Sequence, residues 1–296
     1  MTLEVADFFA DSLQSLYDYT PITLASSGSI FTYTPPSLGI SDLSTHQPID
    51  AKSIPSQHVI TLKTPETQAN NWSLHASSIW ASSIYLADHL IDLRIPDLLA
   101  SARDHPDYGS TPPLRVLELG AGAGLPSIQI AASYAPEDVQ VTVSDYPDPD
   151  LIRTLKENVS LNEVTRNCRV VPYAWGTDPT PLLSPNGEGF DLILAADTLW
   201  NSDFHPGLLQ TLSNTLRRAS HARVQLVAGL HTGRYTLQRF LDLLPKYGLV
   251  AEVLEERGVG NNDGERRGWD LGRAEGEDER ERRRWVLWIT LRWDRV

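Results

Sequence analysis

Cysteine occurs once in this chain of 296 residues, at Cys168. An internal disulfide is therefore excluded, and the scarcity fits a reducing compartment. No apolar run reaches the roughly 18 residues of a membrane span, and residues 1–20 carry acids where a secretory leader would carry basic and apolar stretches. No membrane partner and no leader are expected, and the chain reads as cytoplasmic. Basic residues are the minority charge: 25 Lys and Arg stand against 38 Asp and Glu, a formal charge of −13. Neutralisation of phosphates by Lys and Arg supplies most non-specific affinity for nucleic acid, so stable nucleic-acid binding is not expected. A cationic substrate suits this surface better. The eight His and the single Cys show no metal-ligand spacing, so no metal is expected. A G-x-S-x-G elbow is lacking, as is a phosphate loop with Lys after its glycines.

The strongest positive feature is Leu117-Glu118-Leu119-Gly120-Ala121-Gly122-Ala123-Gly124-Leu125-Pro126. An apolar strand runs into a glycine-dense turn and then into a proline suited to the first position of a helix. Glycines lacking a β-carbon let the backbone approach a ligand closely, and the N–H groups opening the next helix point at it. A dinucleotide loop, G-x-G-x-x-G, would need glycine at position 125, which is Leu, so NAD is the weaker reading. Val139 to Asp145 alternates like a strand and ends in a carboxylate about 20 residues past the glycines, where doubly wound sheets place the acid that takes ribose hydroxyls. Taken alone, the loop also fits an ordinary strand-to-helix turn. Asp145 also fits a helix cap, although Asp148 and Asp150 are equally good caps.

A hydrophobic content of 41% is enough for a full core, and an α/β chain of this length is commonly one unit. One catalytic domain over residues 71–296 is expected, monomeric, with an extension over residues 1–70 holding a hairpin built from Ser29–Tyr33 and His58–Leu62. Residues 71–94 place Ile79, Ser83, Leu86, Leu90 and Leu93 on one face of a helix, with Trp80, Ile84, Ala87 and Ile91 beside them. A polar linker, residues 103–113, leads to the first strand, Leu114–Leu119. Strands and helices then alternate: a helix from Pro126, the strand ending at Asp145, a helix through Leu151, Leu155 and Val159, and a strand over 169–173. The strand 190–195, a helix through Leu208, Leu212 and Leu216, and the strand 224–228 complete a parallel α/β sheet. Residues 248–254 and 285–291 read as two strands paired antiparallel. The charged run between them, about 256–284, reads as a solvated loop.

Glu118-Leu119-Gly120-x-Gly122-x-Gly124 resembles the first motif of the seven-strand methyltransferases that bind S-adenosyl-L-methionine. Together with Ile79-Trp80, the Asp145-Tyr146-Pro147-Asp148-Pro149-Asp150 run, Tyr173-Ala174-Trp175-Gly176 and Asp191 to Trp200, it is similar to the family-16 methyltransferases. That family includes lysine methyltransferases and a fungal branch acting on the N-terminal amine and adjacent lysine of elongation factor 1-alpha. The resemblance implies a seven-strand, doubly wound, Rossmann-like sheet of the class I methyltransferases, with its final strand antiparallel. It implies S-adenosyl-L-methionine as cofactor, held by Trp80, Glu118, Gly120, Ala121, Gly122, Asp145, Trp175 and Ala196. Trp175 is expected beside the adenine, where stacking contributes about 1–3 kcal/mol. Asp197 and Trp200 are expected at the acceptor amine, the carboxylate holding the ammonium and the ring offering a cation–π face. The implied partner is a protein substrate, with a translation factor among the candidates. A small-molecule acceptor is the alternative, and a non-catalytic partner subunit stands behind both. The chain departs from the branch at Asn201–His205 and Gly229–Gly233, and His231 reads as a substrate contact or a satisfied loop histidine.

Overall fold

The computed structural model describes residues 21–36, 58–103 and 112–296. The expected linker lies mostly outside these, as do residues 1–20 and 37–57 of the expected extension. The described extension supplies β1 (Thr23–Leu24), β2 (Ile30–Tyr33) and β3 (Ile60–Lys63), and β2 and β3 pair antiparallel as the alternation suggests. Next come β4 (Ile79–Trp80), α1 (Ala81–Asp88) and α2 (Ile95–Arg103). The single helix expected over 71–94 is therefore broken. His75 takes a left-handed φ of 53°, β4 pairs with β1 through Leu24 and Thr23, and Arg94 at φ 51° ends the helical stretch. A tertiary strand pairing overrides the helical periodicity here.

The sheet proper consists of β5 (Leu114–Leu119), β6 (Val139–Asp145), β7 (Cys168–Pro172), β8 (Leu192–Ala196), β9 (Arg223–Gly229), β10 (Leu249–Gly258), β11 (Arg266–Gly268) and β12 (Trp285–Trp293). Their spatial order is β11-β10-β12-β9-β8-β5-β6-β7. β12 runs antiparallel between β9 and β10, as the two C-terminal strands suggest. β11 adds an eighth strand at the edge. Helices α3 (Leu125–Ser133), α4 (Pro149–Leu161), α5 (His205–Thr215) and α6 (Arg234–Leu243) connect the parallel strands and cover both faces.

Successive strand residues serve opposite apolar layers. Val116, Leu192 and Leu194 pack on one face with Ile128 and Leu155, while Leu117, Ile193 and Ala195 pack on the other with Leu208 and Leu212. Burial on both faces accounts for the near-continuous apolar runs of β5 and β8. The strand order reverses between β5 and β8, which is where doubly wound sheets open a crevice beyond their carboxyl ends. Asn158 on α4 and Asn162 at its C-cap fasten the extension to this edge. Asn158 accepts the Lys63 N–H at 2.8 Å and donates to the carbonyls of Lys63 and Ala123 at 2.9 and 3.0 Å. Asn162 exchanges the same pair of bonds with Thr61, at 3.0 and 2.8 Å.

The charged run after β10 is folded and not a solvated loop. Glu256 is fully buried and receives Arg234 Nη1 and Nη2 at 2.6 and 2.8 Å, Arg267 Nε at 2.7 Å and Arg273 Nη1 at 2.7 Å. Glu277 takes Arg234 Nε and Nη2 at 2.8 and 2.7 Å. Buried charges persist only when paired in this way. Because Gly258 faces Trp285 and Val286 faces Gly229, this cluster lies at the edge of the sheet where β9 ends.

Candidate active site

The glycine turn between β5 and α3 is shaped by backbone that other residues rarely adopt. Gly120, Gly122 and Gly124 have φ of 65°, 55° and 84°. A Cβ on Gly120 would fall 2.9 Å from Thr198 Cγ2 and 3.0 Å from Trp175 Cζ2. On Gly122 it would meet nothing within 4 Å, so this glycine leaves its backbone open to a ligand.

Two buried acids frame the turn. Asp145 Oδ2 accepts the Gly122 N–H at 2.6 Å and Oδ1 accepts the Tyr146 N–H at 2.6 Å. Each oxygen keeps a further lone pair for hydroxyl donors. Burial pushes the Asp145 carboxyl up to about 6, although both N–H bonds favour its charge. Glu118 accepts the Ser127 N–H at 3.1 Å, which ties the strand end to the first turn of α3, and burial pushes its carboxyl up to about 7. Asp148, not Asp145, caps α4: its Oδ1 accepts from Asp150 and Leu151, while Oδ2 accepts from Gln68 and Asn71 of the preceding segment. Burial opposes the Asp148 charge, but these four donors, Asn71 foremost, hold its carboxyl below the ordinary value.

At the far end, Asp197 follows β8 with a left-handed φ of 52°, a conformation that Asp and Asn tolerate better than most side chains. Its Oδ1 accepts the Gly229 N–H at 2.9 Å, whereas Oδ2 is buried without a hydrogen-bond partner. A buried acceptor left unpaired costs roughly 1–3 kcal/mol, a cost that a bound donor relieves. Aromatic rings surround this end. Trp80 donates Nε1 to the His75 carbonyl at 2.7 Å. His75 meets Trp200 edge-on at 5.0 Å, and Phe204 meets both Trp200 and Trp175 edge-on, at 5.6 and 6.5 Å.

These groups line one cavity of about 310 Å³. The ten residues expected at the cofactor and the acceptor amine reach it, Trp80, Glu118, Gly120, Ala121, Gly122, Asp145, Trp175, Ala196, Asp197 and Trp200, whereas His231 does not line it. His75, Tyr146 and Phe204 line it as well, though none is a sequence candidate for the site. Tyr146 and Phe204 are large apolar rings left 41% and 42% exposed at its mouth, and their places directly after Asp145 and within the divergent segment after Trp200 were the available signal. Among the described residues neither Glu118 nor Asp145 has an ion-pair partner, so the walls suit a cationic ligand. Among those residues, too, no group of three or more His, Cys, Asp or Glu could hold a metal, and no helix is long and apolar enough to cross a membrane. The open backbone at Gly122, the acid at the end of β6 and the anionic, aromatic walls fit a nucleoside bearing a sulfonium.

A model of the lysine methyltransferase family matches residues 57–246. The protein N-terminal and lysine N-methyltransferase EFM7 of Candida glabrata is 30% identical over 71% of this chain and 77% of its own length. Its counterpart in Schizosaccharomyces pombe is 32% identical over 62% of this chain and 69% of its own length. For the Gibberella zeae counterpart the values are 33%, 48% and 59%, so the match spans less than two thirds of that protein.

Proposed function

The chain belongs to the lysine methyltransferase family, and from that premise we propose that it moves a methyl group from S-adenosyl-L-methionine to an amine of a protein. When bound, the cofactor supplies a sulfonium methyl that passes in line to a nitrogen lone pair. The chain's own residues bind, orient and exclude water. Gly120, Ala121 and Gly122 present backbone to the cofactor, Glu118 braces their turn against α3, and Asp145 takes the ribose hydroxyls. Trp175 covers the adenine, while Ala196 allows close approach by backbone, and Trp80 closes the side nearest the acceptor.

Asp197 Oδ2 orients the incoming ammonium, whose proton leaves to solvent so that the nitrogen presents its lone pair, and Trp200 offers its ring face to the same charge, a contact worth roughly 0.5–2 kcal/mol. A free lysine loses its proton near pH 10.4 and an α-amine near 8, so the α-amine needs less help to arrive neutral. Orientation of this kind supplies roughly 7–11 kcal/mol in well-aligned transfers. The observation that carries this reading is Asp197, a buried carboxylate with one oxygen unpartnered, which lines an aromatic-walled cavity. Protein amines are the acceptors named for the relatives. The Asp145–Asp150 segment resembles the branch acting on elongation factor 1-alpha, which makes a translation factor the proposed substrate. A monomer working in the cytoplasm completes the reading, and the buried, unpaired Cys168 agrees with that compartment. Incubation with labelled cofactor and a fungal lysate tests it: a labelled protein band is expected, and label confined to small molecules refutes it.

A further inference from the structure

His231 stands beside the acceptor end, on the short helical turn Leu230–Thr232 that follows β9. Its imidazole folds back over Gly229, where an added Cβ would lie 2.2 Å from His231 Nδ1. Only glycine leaves the ring that place. On its other side the ring stacks on Trp80, with centroids 5.7 Å apart and planes 15° from parallel. Its Nε2 lies 4.0 Å from Asp197 Oδ1, the same oxygen that accepts the Gly229 N–H. One half-buried ring therefore abuts both the Trp80 indole, proposed to close the side nearest the acceptor, and the carboxylate proposed to meet the amine.

Resting on the acceptor site proposed above, we propose that His231 is a positioning residue for methyl transfer. It backs the Trp80 ring and flanks Asp197 Oδ1, which leaves Oδ2 as the oxygen that receives the amine. The bond from Trp80 Nε1 to His75 fixes one edge of the indole, and the stack supplies the surface against which the ring rests. Gly229 serves both ends of the arrangement: its N–H anchors Asp197, and its missing side chain admits the imidazole. Transfer depends steeply on this geometry, since a misplacement of about 1 Å can cost about a hundredfold in rate.

Fluorine NMR of fluorotryptophan-labelled protein, with the Trp80 resonance assigned through Trp80→Phe, reads the stack without turnover. His231→Leu removes the ring, whereas His231→Phe keeps a ring and loses the nitrogen. In His231→Leu the Trp80 resonance is expected to move, S-adenosylhomocysteine affinity to stay within about twofold, and kcat/KM for the amine substrate to fall about tenfold or more. His231→Phe is expected to hold the resonance near its original position and to recover part of the lost kcat. His231→Asn serves the same comparison if the leucine variant does not fold. An unmoved Trp80 resonance overturns the proposal, as does a loss of kcat matched by an equal loss of cofactor affinity. A wild-type protein that methylates no amine fails the acceptor site itself, an outcome distinct from wild-type activity that the His231 variants leave unchanged.

Discussion

Gly122 donates its backbone N–H to Asp145 Oδ2 at 2.6 Å, so the glycine turn after β5 is tied to the carboxylate that ends β6. The same carboxylate holds the turn and, in the proposed function, receives hydroxyls from the cofactor. Asp145→Ala is expected to weaken S-adenosylhomocysteine binding by about 1.5–3 kcal/mol, the range for hydrogen bonds to a charged group. Calorimetry on the folded variant checks this, and an unchanged dissociation constant removes Asp145 from the site.

Glu118 makes stability depend on pH. Its folded carboxyl is pushed by burial from an ordinary 4.5 up to about 7. Between those values the folded chain keeps a proton that the unfolded chain releases, so stability falls as pH rises through this window and levels off above it. Glu118→Gln is expected to remove the share of Glu118 in that slope, leaving the share of Asp145 below about pH 6, and to leave the unliganded protein more stable at pH 8, by on the order of 3 kcal/mol. Denaturant titrations of both proteins across the window measure the difference, and parallel curves would sink the assignment.

Asp197 calls for an asparagine substitution, because its left-handed backbone would strain an alanine. Asp197→Asn keeps the shape and the acceptor for Gly229 while removing the charge proposed to meet the ammonium. Turnover is expected to fall about a hundredfold, the scale of losing one oriented electrostatic contact, with cofactor affinity nearly unchanged. A variant that binds cofactor poorly at an unaltered kcat contradicts the role given to Asp197.

Removing Glu256 leaves Arg234, 2% exposed, without the carboxylate that takes two of its nitrogens. Breaking one side of a buried ion pair costs about 3–5 kcal/mol. Glu256→Ala is expected to lose stability on that scale in chemical denaturation. A loss within the ordinary range of a surface substitution would mean that the cluster is only a decoration of the sheet edge.

The two strands that carry the glycine turn and its acid, Leu114–Leu119 and Val139–Asp145, were legible to the residue because their apolar patterns end in features with a local cause, glycines and a terminal carboxylate. The antiparallel β10 and β12 were legible as well, although β10 extends four residues beyond Leu254, to Gly258. What local pattern does not encode is partnership across the chain. The break before Trp80 depends on pairing with Thr23, far away in sequence. The charged run turns inward because Arg234, on a different element, meets Glu256 and Glu277. His231 gains its place only when the end of β9 brings it against Trp80 and Asp197. The ten candidate site residues converge because each lies at or just beyond a carboxyl end of β5, β6, β7 or β8, or on the segment facing those ends.

Methyl transfer to a cationic protein segment is tested most directly with a peptide carrying the N-terminal residues of elongation factor 1-alpha and a lysine-rich control. Each is incubated with the protein and S-adenosyl-L-methionine at two salt concentrations, and the methyl group is located by mass spectrometry. Attraction between exposed charges is screened within about 8 Å at physiological salt, so a net acidic protein should show a Michaelis constant for a cationic segment that rises with ionic strength. The predicted result is methylation of the α-amine or a lysine with that salt dependence. Neither peptide methylated by protein that binds S-adenosylhomocysteine, with label appearing only in the low-molecular-mass fraction of a lysate, would contradict it.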